Sequence, residues 1–427
     1  MEKAAMYDAF TRLLRRELIQ AQGCTEPIAI AYAAATARRT LGEMPHHIEL
    51  RCSGNIVKNA MGVVVPNSGG MRGIDVAAVL GILAGRDSMG LEVLHSVTPE
   101  DVETMKSLLA TDFCRCILLE EEEPLYIDLT AFSDTTSARV VVRHAHTNIT
   151  YISRGDEILR NDTREYEQTD SFLDKAALTM ETILDYAAHE DMDTLRSLLE
   201  PQVRLNQAIA QEGITNDYGS AVGKTVLLNE APSARTAACA RAAAGSDARM
   251  GGCILPVVIN SGSGNQGITV SVPVIEYARA LGCTEEAMFR ALAISNLTAI
   301  HLKSYIGSLS AFCGAVSAAC GAGAAITYLL GGGYEEICRT VSNTLGNVGG
   351  ILCDGAKSSC AAKIYSAVSA AILAAEMSMS GHGFSAGEGI VTDDIEDTIR
   401  NVGYVGKVGM RPTDSVVLQL MLSRGKH

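Results

Sequence analysis

The chain has 427 residues, of which 47% are apolar and 20% charged, and 49 acidic against 35 basic residues give it a net charge of −14. This composition excludes a disordered or fibrous chain and fits one large or two ordinary globular domains. A net-negative chain without a basic run binds phosphate backbones and anionic lipid poorly, so we expect neither nucleic acid nor a membrane as a partner.

The N-terminal residues and the longest uncharged stretch both predict a cytoplasmic protein. The first 20 residues carry scattered charges and lack the apolar core of a signal peptide. No charge occurs between Lys303 and Glu335, but Ala, Gly and Ser dominate this stretch. It therefore predicts tightly packed buried helices rather than a lipid-facing span. The twelve cysteines lack the regular spacing of a disulfide scaffold, so we expect more than half of them to be small buried residues.

The pattern of apolar residues predicts an α+β fold. Helical periodicity over 4–22 is followed by an Ala-rich helix over 27–41, and short β-prone runs then extend from 48 to 158. Polar, charge-rich residues at 160–165 mark the boundary, after which helical patterns dominate. We therefore predict an α+β domain at 1–165 and a mostly helical domain at 166–427.

Three cysteines of the second part, Cys313, Cys353 and Cys360, form the strongest candidate metal site. Soft thiolates from separate segments are the ligands that iron–sulfur clusters need. Their spacing alone leaves coincidence open. A structural zinc site is also open, although no C-x-x-C pair or nearby histidine supports it.

Cys24 is a second candidate, because the sequence Gly23-Cys24-Thr25-Glu26-Pro27 places it directly before a predicted helix. The positive end of the helix dipole is expected to lower the pKa of this thiol and favour the thiolate. A small buried residue at a helix entry is the alternative.

Polar residues for substrate anchoring occur in two sets. The glycine-rich loop over 260–267 offers backbone N–H groups and the side chains Ser261, Ser263, Asn265 and Gln266. A β-like run over 268–272 follows it and no Lys-Ser/Thr is present, which disfavours nucleotide binding and leaves a surface loop as the alternative. The second set is Ser53-Gly54-Asn55 with Lys58 and Asn59, which a simple turn would also explain.

Lys303 lies in an apolar segment, so its charge is expected to have a carboxylate partner, with snorkelling at a helix end as the alternative. His301, two residues earlier, is a candidate base, although structural histidines are more common. The run Glu120–Glu123 is interpreted as a solvated acidic turn rather than a metal cluster, because successive strand residues point to opposite faces.

Several of these motifs carry a family resemblance. The segments at 303–307, 312–325 and 350–355 resemble the alpha domain of iron–sulfur-dependent L-serine dehydratases, a likeness confined to about residues 250–375. With Gly23-Cys24-Thr25-Glu26-Pro27 and the motif at 53–59 added, the chain resembles L-cysteine desulfidase and its uncharacterised relatives over nearly its full length.

The resemblance implies that the helical domain binds a [4Fe–4S] cluster through Cys313, Cys353 and Cys360, with one iron left open as a Lewis acid. The dehydratase pattern has more residues between the last two cysteines, so Cys320 is an alternative to Cys360. The implied reaction is β-elimination on a small amino acid, foremost L-cysteine to pyruvate, ammonia and sulfide.

Catalysis is then assigned to Cys24, as base or second thiol, and to Lys303. The residues expected to bind substrate are Glu26, Asn55, Lys58, Asn59, Ser261, Ser263, Asn265 and Gln266. The alternatives are an L-serine ammonia-lyase, a cluster-free small-molecule binding protein of the same fold, and a zinc-dependent hydrolase. Homo-oligomerisation is left open.

Overall fold

The architecture is α+β, as predicted, with a mixed sheet in the N-terminal part and helices in the C-terminal part. The computed structural model describes residues 3–119, 123–162, 164, 174–307 and 309–423. The division at 165/166 and residues Glu120, Glu121 and Glu122 of the acidic run lie outside the described residues, so the two-domain division stays a prediction.

The N-terminal part is built on a six-stranded sheet in the order β3-β2-β4-β5-β6-β7, in which β2 and β3 are parallel and the other pairs antiparallel. Its elements are α1 (Lys3–Glu17), β1 (Gln20–Gln22), α2 (Thr25–Leu41), β2 (His47–Ser53), α3 (Gly54–Met61), α4 (Ile74–Ala84), α5 (Pro99–Leu109), β3 (Cys114–Leu119), β4 (Tyr126–Phe132), β5 (Ser137–Arg143), β6 (Ile149–Arg154) and β7 (Glu157–Asn161). The Ala-rich α2 packs on β4 and β5 and is covered by α4, which forms the first core.

The C-terminal part places one helix, α12, at its centre. Its elements are α6 (Met180–His189), α7 (Met192–Thr215), α8 (Val222–Asn229), α9 (Ala234–Met250), β8 (Pro256–Val258), α10 (Gly264–Ala280), α11 (Glu285–Ile306), α12 (Gly314–Leu329), α13 (Tyr334–Val348), α14 (Cys360–Met379), α15 (Ile395–Tyr404) and α16 (Arg411–Ser423). Helices α10, α11, α13 and α14 all pack against α12.

Small residues allow this close packing. A Cβ atom at Gly321 of α12 would lie 2.2 Å from the carbonyl oxygen of Ser295 in α11, so no larger residue fits there. The predicted burial of the uncharged stretch before Glu335 is thus confirmed for α12.

The prediction of a β-like run over 268–272 is wrong, because these residues lie inside α10. Every residue from Gln266 to Ala278 is buried, so the helix has no polar face and its sequence shows no helical period. The Ser263 side chain accepts a hydrogen bond from the Gln266 N–H and caps the helix. The glycine-rich loop therefore does lead into a helix N-terminus.

Contacts between elements far apart in sequence join the two parts of the chain. Strand β1 pairs antiparallel with β8, α1 contributes side chains to the second hydrophobic core formed by the C-terminal helices, and α16 packs on α3. These contacts bring Cys24, which follows β1, to the same region as the glycine-rich loop, which follows β8.

Helix α14 is the one helix among the described residues that is long and apolar enough to cross a membrane. Half of that apolar stretch is buried, and α14 packs against α9, α12 and α13. A core helix with small apolar residues passes the same length and composition test.

Candidate active site

The predicted site residues meet at two adjoining cavities between the two parts of the chain. The smaller, of about 100 Å³, and the larger, of about 1040 Å³, share the lining residues Ser261, Gly262, Lys303, Leu309 and Ser310. The smaller cavity is lined by Cys24, Glu26, Asn59, Ser263, Asn265, Gln266, Cys313, Cys353 and Cys360, and the larger by Asn55 and Lys58. Residues spread over more than 300 positions of sequence thus face one region of space.

Three of the four cysteines at the smaller cavity lie at helix starts. Cys24 is the N-cap of α2, Cys313 is the N-cap of α12, and Cys360 is the first residue of α14. The N-terminus of α10 also lines this cavity. Helix N-termini carry partial positive charge and free N–H groups, so they favour an anionic group between them.

Backbone pairing holds two of these cysteines side by side. Phe312 and Leu352 form an antiparallel bridge, the Cys353 N–H donates to the Ala311 carbonyl at 2.6 Å, and the Cys313 N–H donates to the Ile351 carbonyl at 3.0 Å. The two thiols consequently interact and shift each other's pKa. The Cys313 thiol lowers the pKa of Cys353 against the opposing effect of burial, and nearby Lys58 and Lys363 lower it further, so Cys353 is the member of the pair that favours the thiolate.

The donors at the smaller cavity are thiols, the ligand type that an iron–sulfur cluster requires. Within the part of the chain that the structure describes, no three His, Cys, Asp or Glu side chains are close enough together to hold one metal ion, which disfavours the zinc reading. Cys313, Cys353 and Cys360 line one cavity, two of them at helix starts, and they are the residues that would hold such a cluster.

Cys320 does not share this cavity. It points from α12 into the second hydrophobic core, where it is fully buried, and burial raises the pKa of its thiol. Cys360, which the spacing left in doubt, lines the cavity instead. This placement favours Cys360 over Cys320 as the third ligand.

The expectation that the helix dipole favours a Cys24 thiolate is wrong. Burial and the charge of Glu26 raise the pKa of Cys24 well above its ordinary value, outweighing the nearby Arg249. The Cys24 thiol donates to Glu26 Oε2 at 3.0 Å, so Cys24 holds its proton.

Glu26 is the anion of this cluster of side chains. Its Oε1 accepts a hydrogen bond from Asn59 Nδ2 at 3.1 Å and lies 3.7 Å from His146 Nε2, which is beyond hydrogen-bond distance. Burial opposes its ionisation, but the His146 imidazole and the Cys24 thiol prevail and lower the pKa of Glu26 to about 2. A buried carboxylate at this position is suited to accept hydrogen bonds from a ligand cation.

Buried polar atoms in the cavities have no hydrogen-bond partner among the described residues. They include Asn59 Oδ1, Gln266 Oε1 and, in the larger cavity, Asn55 Oδ1. A Cβ atom at Gly314 would lie 2.6 Å from the Gln266 side chain, so the glycine after Cys313 leaves room for this amide. Unpaired buried acceptors are costly in the free protein and are expected where a ligand completes them.

Lys303 lies in the last turn of α11 and lines both cavities. We expected either a carboxylate partner or a side chain that reaches solvent, and neither is found. No carboxylate among the described residues pairs with Lys303, and its side chain is buried, at 6% exposure. Burial lowers the pKa of Lys303 to about 8, against the opposing effect of Cys353 and Cys313. His301 is structural, because its Nε2 contacts Glu396 Oε2 at 2.6 Å away from both cavities.

Lys58 forms an ion pair with a residue near the other end of the chain. Its Nζ donates to Asp414 Oδ1 at 2.5 Å, and the other Asp414 oxygen accepts from the Ala311 N–H at 2.9 Å. This pair ties α3 and α16 to the segment that carries Cys313, so Lys58 positions the site as well as lining it.

Arg249 and His146 line these cavities but were not singled out in the sequence. Arg249 ends the Ala-rich α9, and His146 lies in the turn between β5 and β6. Neither has a motif around it, since an arginine at a helix C-terminus and a histidine in a hairpin turn are ordinary in sequence. Only their burial, at 2% and 5% exposure, distinguishes them.

The chain matches a family model described as the serine dehydratase alpha chain over residues 88–419. It belongs to the serine dehydratase alpha chain family. The matched region is wider than the 250–375 expected from the motifs, because it includes most of the sheet and α16.

Similarity to individual proteins extends over nearly the whole chain. The chain is 50% identical to a UPF0597 protein of Lachnoclostridium phytofermentans, covering 98% of this chain and 100% of that protein. It is 47% identical to a UPF0597 protein of Finegoldia magna, with 97% and 99% covered, and 45% identical to one of Treponema denticola, with 97% and 98% covered. The names of these relatives state no activity.

Proposed function

We propose that this chain is a [4Fe–4S]-dependent lyase that eliminates the β-substituent of a small amino acid, with L-cysteine as substrate and pyruvate, ammonia and sulfide as products. The observation that carries the proposal is the convergence of Cys313, Cys353 and Cys360 on one small cavity that also holds Cys24, Glu26 and Lys303. Membership of the serine dehydratase alpha chain family supports a lyase reaction.

When bound, a cluster with an open iron supplies a Lewis acid for the leaving group. The residues of the chain supply the proton transfers. Lys303, buried at both cavities and without a carboxylate partner in the described chain, is positioned to take the α-proton as a neutral amine. As the Cα–H and Cβ–S bonds break, a Cα=Cβ bond forms, and sulfide leaves.

Cys24 is suited to the opposite role from the one first expected. Because it holds its proton and donates toward Glu26, it can protonate the departing sulfide rather than act as the base. The other product is 2-aminoacrylate, which tautomerises and hydrolyses to pyruvate and ammonia.

The test is anaerobic reconstitution followed by assays of sulfide and pyruvate from L-cysteine, L-serine and both D-isomers. We expect a brown protein with about four irons per chain and turnover of L-cysteine. A colourless protein that cannot be reconstituted would instead support the cluster-free binding protein.

Paired variants test the ligand assignment. Cys353→Ala is expected to lose bound iron and activity, whereas Cys320→Ala, which removes a thiol outside the cavity, is the matched control and keeps both. Iron loss in the Cys320 variant with full loading of the Cys353 variant would overturn the assignment.

L-Serine is the second candidate substrate, because the matching family is described by serine dehydratase. Its hydroxyl would leave as water by the same proton transfers. Pyruvate formation from L-serine at a higher kcat/KM than from L-cysteine would decide for it.

A further inference from the structure

Arg249 is a buried cation that has no anionic partner among the described residues. It lies at the end of α9 with 2% of its surface exposed, and its Nη1 donates to the neutral amide oxygen of Asn265 at 3.2 Å. Its Nε and Nη2 have no hydrogen-bond partner within the described chain. A guanidinium stays charged at any ordinary pH, and burying it unmatched is costly, so an anion supplied from outside is expected to complete it.

The glycine at position 264 makes room for the Arg249 guanidinium. A Cβ atom at Gly264 would lie 2.3 Å from Arg249 Nε, so the first residue of α10 must lack a side chain for the guanidinium to sit where it does. Arg249 lines the smaller cavity together with Cys24 and the three cysteines at 313, 353 and 360. The N-terminus of α10 lines the same cavity and adds to its positive potential.

The charges in the cavity match a zwitterion. Glu26 places a carboxylate in the same 100 Å³ cavity that holds the Arg249 guanidinium. A phosphate or other dianion would be repelled by Glu26, whereas an amino acid brings a carboxylate for the arginine and an ammonium for the glutamate.

We propose that Arg249 binds the α-carboxylate of the amino-acid substrate through Nε and Nη2, in the side-on bidentate geometry that a guanidinium offers to a carboxylate. The inference rests on the proposed function for the identity of the anion as an amino acid. It makes Arg249 the residue that selects α-amino acids over their uncharged derivatives.

The test measures binding rather than turnover, by calorimetry on the cluster-free and the reconstituted protein. The probes are L-alanine, which has no leaving group, and L-alaninamide, which lacks the carboxylate. We expect Arg249→Gln to weaken L-alanine binding by roughly 30-fold or more and to leave L-alaninamide binding unchanged. Arg249→Lys keeps the positive charge but not the planar pair of N–H donors, so its affinity for L-alanine should be intermediate. The matched control is Arg241→Gln on the same helix, where the arginine already pairs with Gln211 and Glu276.

Two further readouts separate this role from a structural one. Because Arg249→Gln removes an unmatched buried charge, the melting temperature of the ligand-free variant should equal or exceed that of the wild type, whereas a structural role predicts a fall. An unchanged ratio of L-alanine to L-alaninamide affinity, or no L-alanine binding by the wild type, would overturn the proposal. So would loss of iron in Arg249→Gln with unchanged L-alanine binding, which would assign the arginine to the cluster. If no amino acid is turned over but Arg249-dependent L-alanine binding persists, the lyase proposal fails and the carboxylate site stands.

Discussion

The Lys58–Asp414 pair allows a quantitative test of how the C-terminal helix stabilises the site. The Lys58 side chain is 1% exposed and that of Asp414 is 16% exposed, with 2.5 Å between Nζ and Oδ1. Asp414→Asn leaves the lysine charge buried without a counter-charge, which costs roughly 3–5 kcal/mol for a fully buried pair. Because water can reach Asp414, we expect the low end, a loss of about 3 kcal/mol in the free energy of unfolding.

The assay is urea unfolding of the cluster-free protein at pH 7. Lys58→Met should cost less than Asp414→Asn, because the carboxylate it leaves behind is the more hydrated partner, and the double variant should show a coupling energy above about 1 kcal/mol. The matched control is Asp397→Asn, since Asp397 pairs with Arg400 at the surface, where each side chain is 51% exposed. That change should cost less than about 1 kcal/mol.

Equal losses in Asp414→Asn and the control would refute this reasoning. A subtler outcome is also informative. Asp414 accepts a hydrogen bond from the N–H of Ala311, two residues before Cys313. Asp414→Asn should therefore also bind iron less tightly after reconstitution. Full stability loss with unchanged iron loading would show that the pair stabilises α16 without positioning the ligand segment.

Three further outcomes follow from the site. The folded-state pKa of Glu26, about 2, lies below its ordinary value of 4.5. Its ionisation therefore stabilises the fold above pH 4.5, and this contribution is lost as the pH falls toward 2. The difference in unfolding free energy between wild type and Glu26→Gln should shrink over that range, and a constant difference would contradict the prediction. The pKa of Lys303 falls from 10.5 to about 8 on folding. Because the unfolded chain binds the proton more tightly, the free energy of unfolding of the cluster-free protein should rise from pH 8 to 10.5. Lys303→Met should flatten this rise when the free energy is measured by urea unfolding at several pH values. Gly355→Ala places a Cβ atom 2.4 Å from the Lys58 carbonyl oxygen at a φ of +90°. The control is Gly387→Ala, where φ is +86° and no atom of the described residues lies within 4 Å, so that backbone strain alone should cost roughly 1–2 kcal/mol. Gly355→Ala should destabilise by more than this, and equal melting temperatures of the two variants would argue against the clash.

Much of the fold could be predicted because local patterns of apolar residues indicate its helices and strands. The alternation in Ile48, Leu50 and Cys52 indicated β2, and the Ala-rich run from Pro27 to Leu41 indicated α2. Helix α10 escaped prediction because it is buried on all sides, and a helix without a polar face has no period to detect.

For the candidate site, the sequence by itself determined which chemistry is available: a thiol directly before a predicted helix, three further cysteines in the second part of the chain, a glycine-rich polar loop, and a lysine in an apolar segment. Only the tertiary structure decided which of these groups meet. It placed Cys360 rather than Cys320 at the cavity, buried Cys24 so that the thiol keeps its proton, and left Arg249 buried with two donors that have no partner in the described chain. The physical reason is that desolvation and charge pairing depend on neighbours distant in the chain, and no local pattern records how far apart those neighbours finally lie.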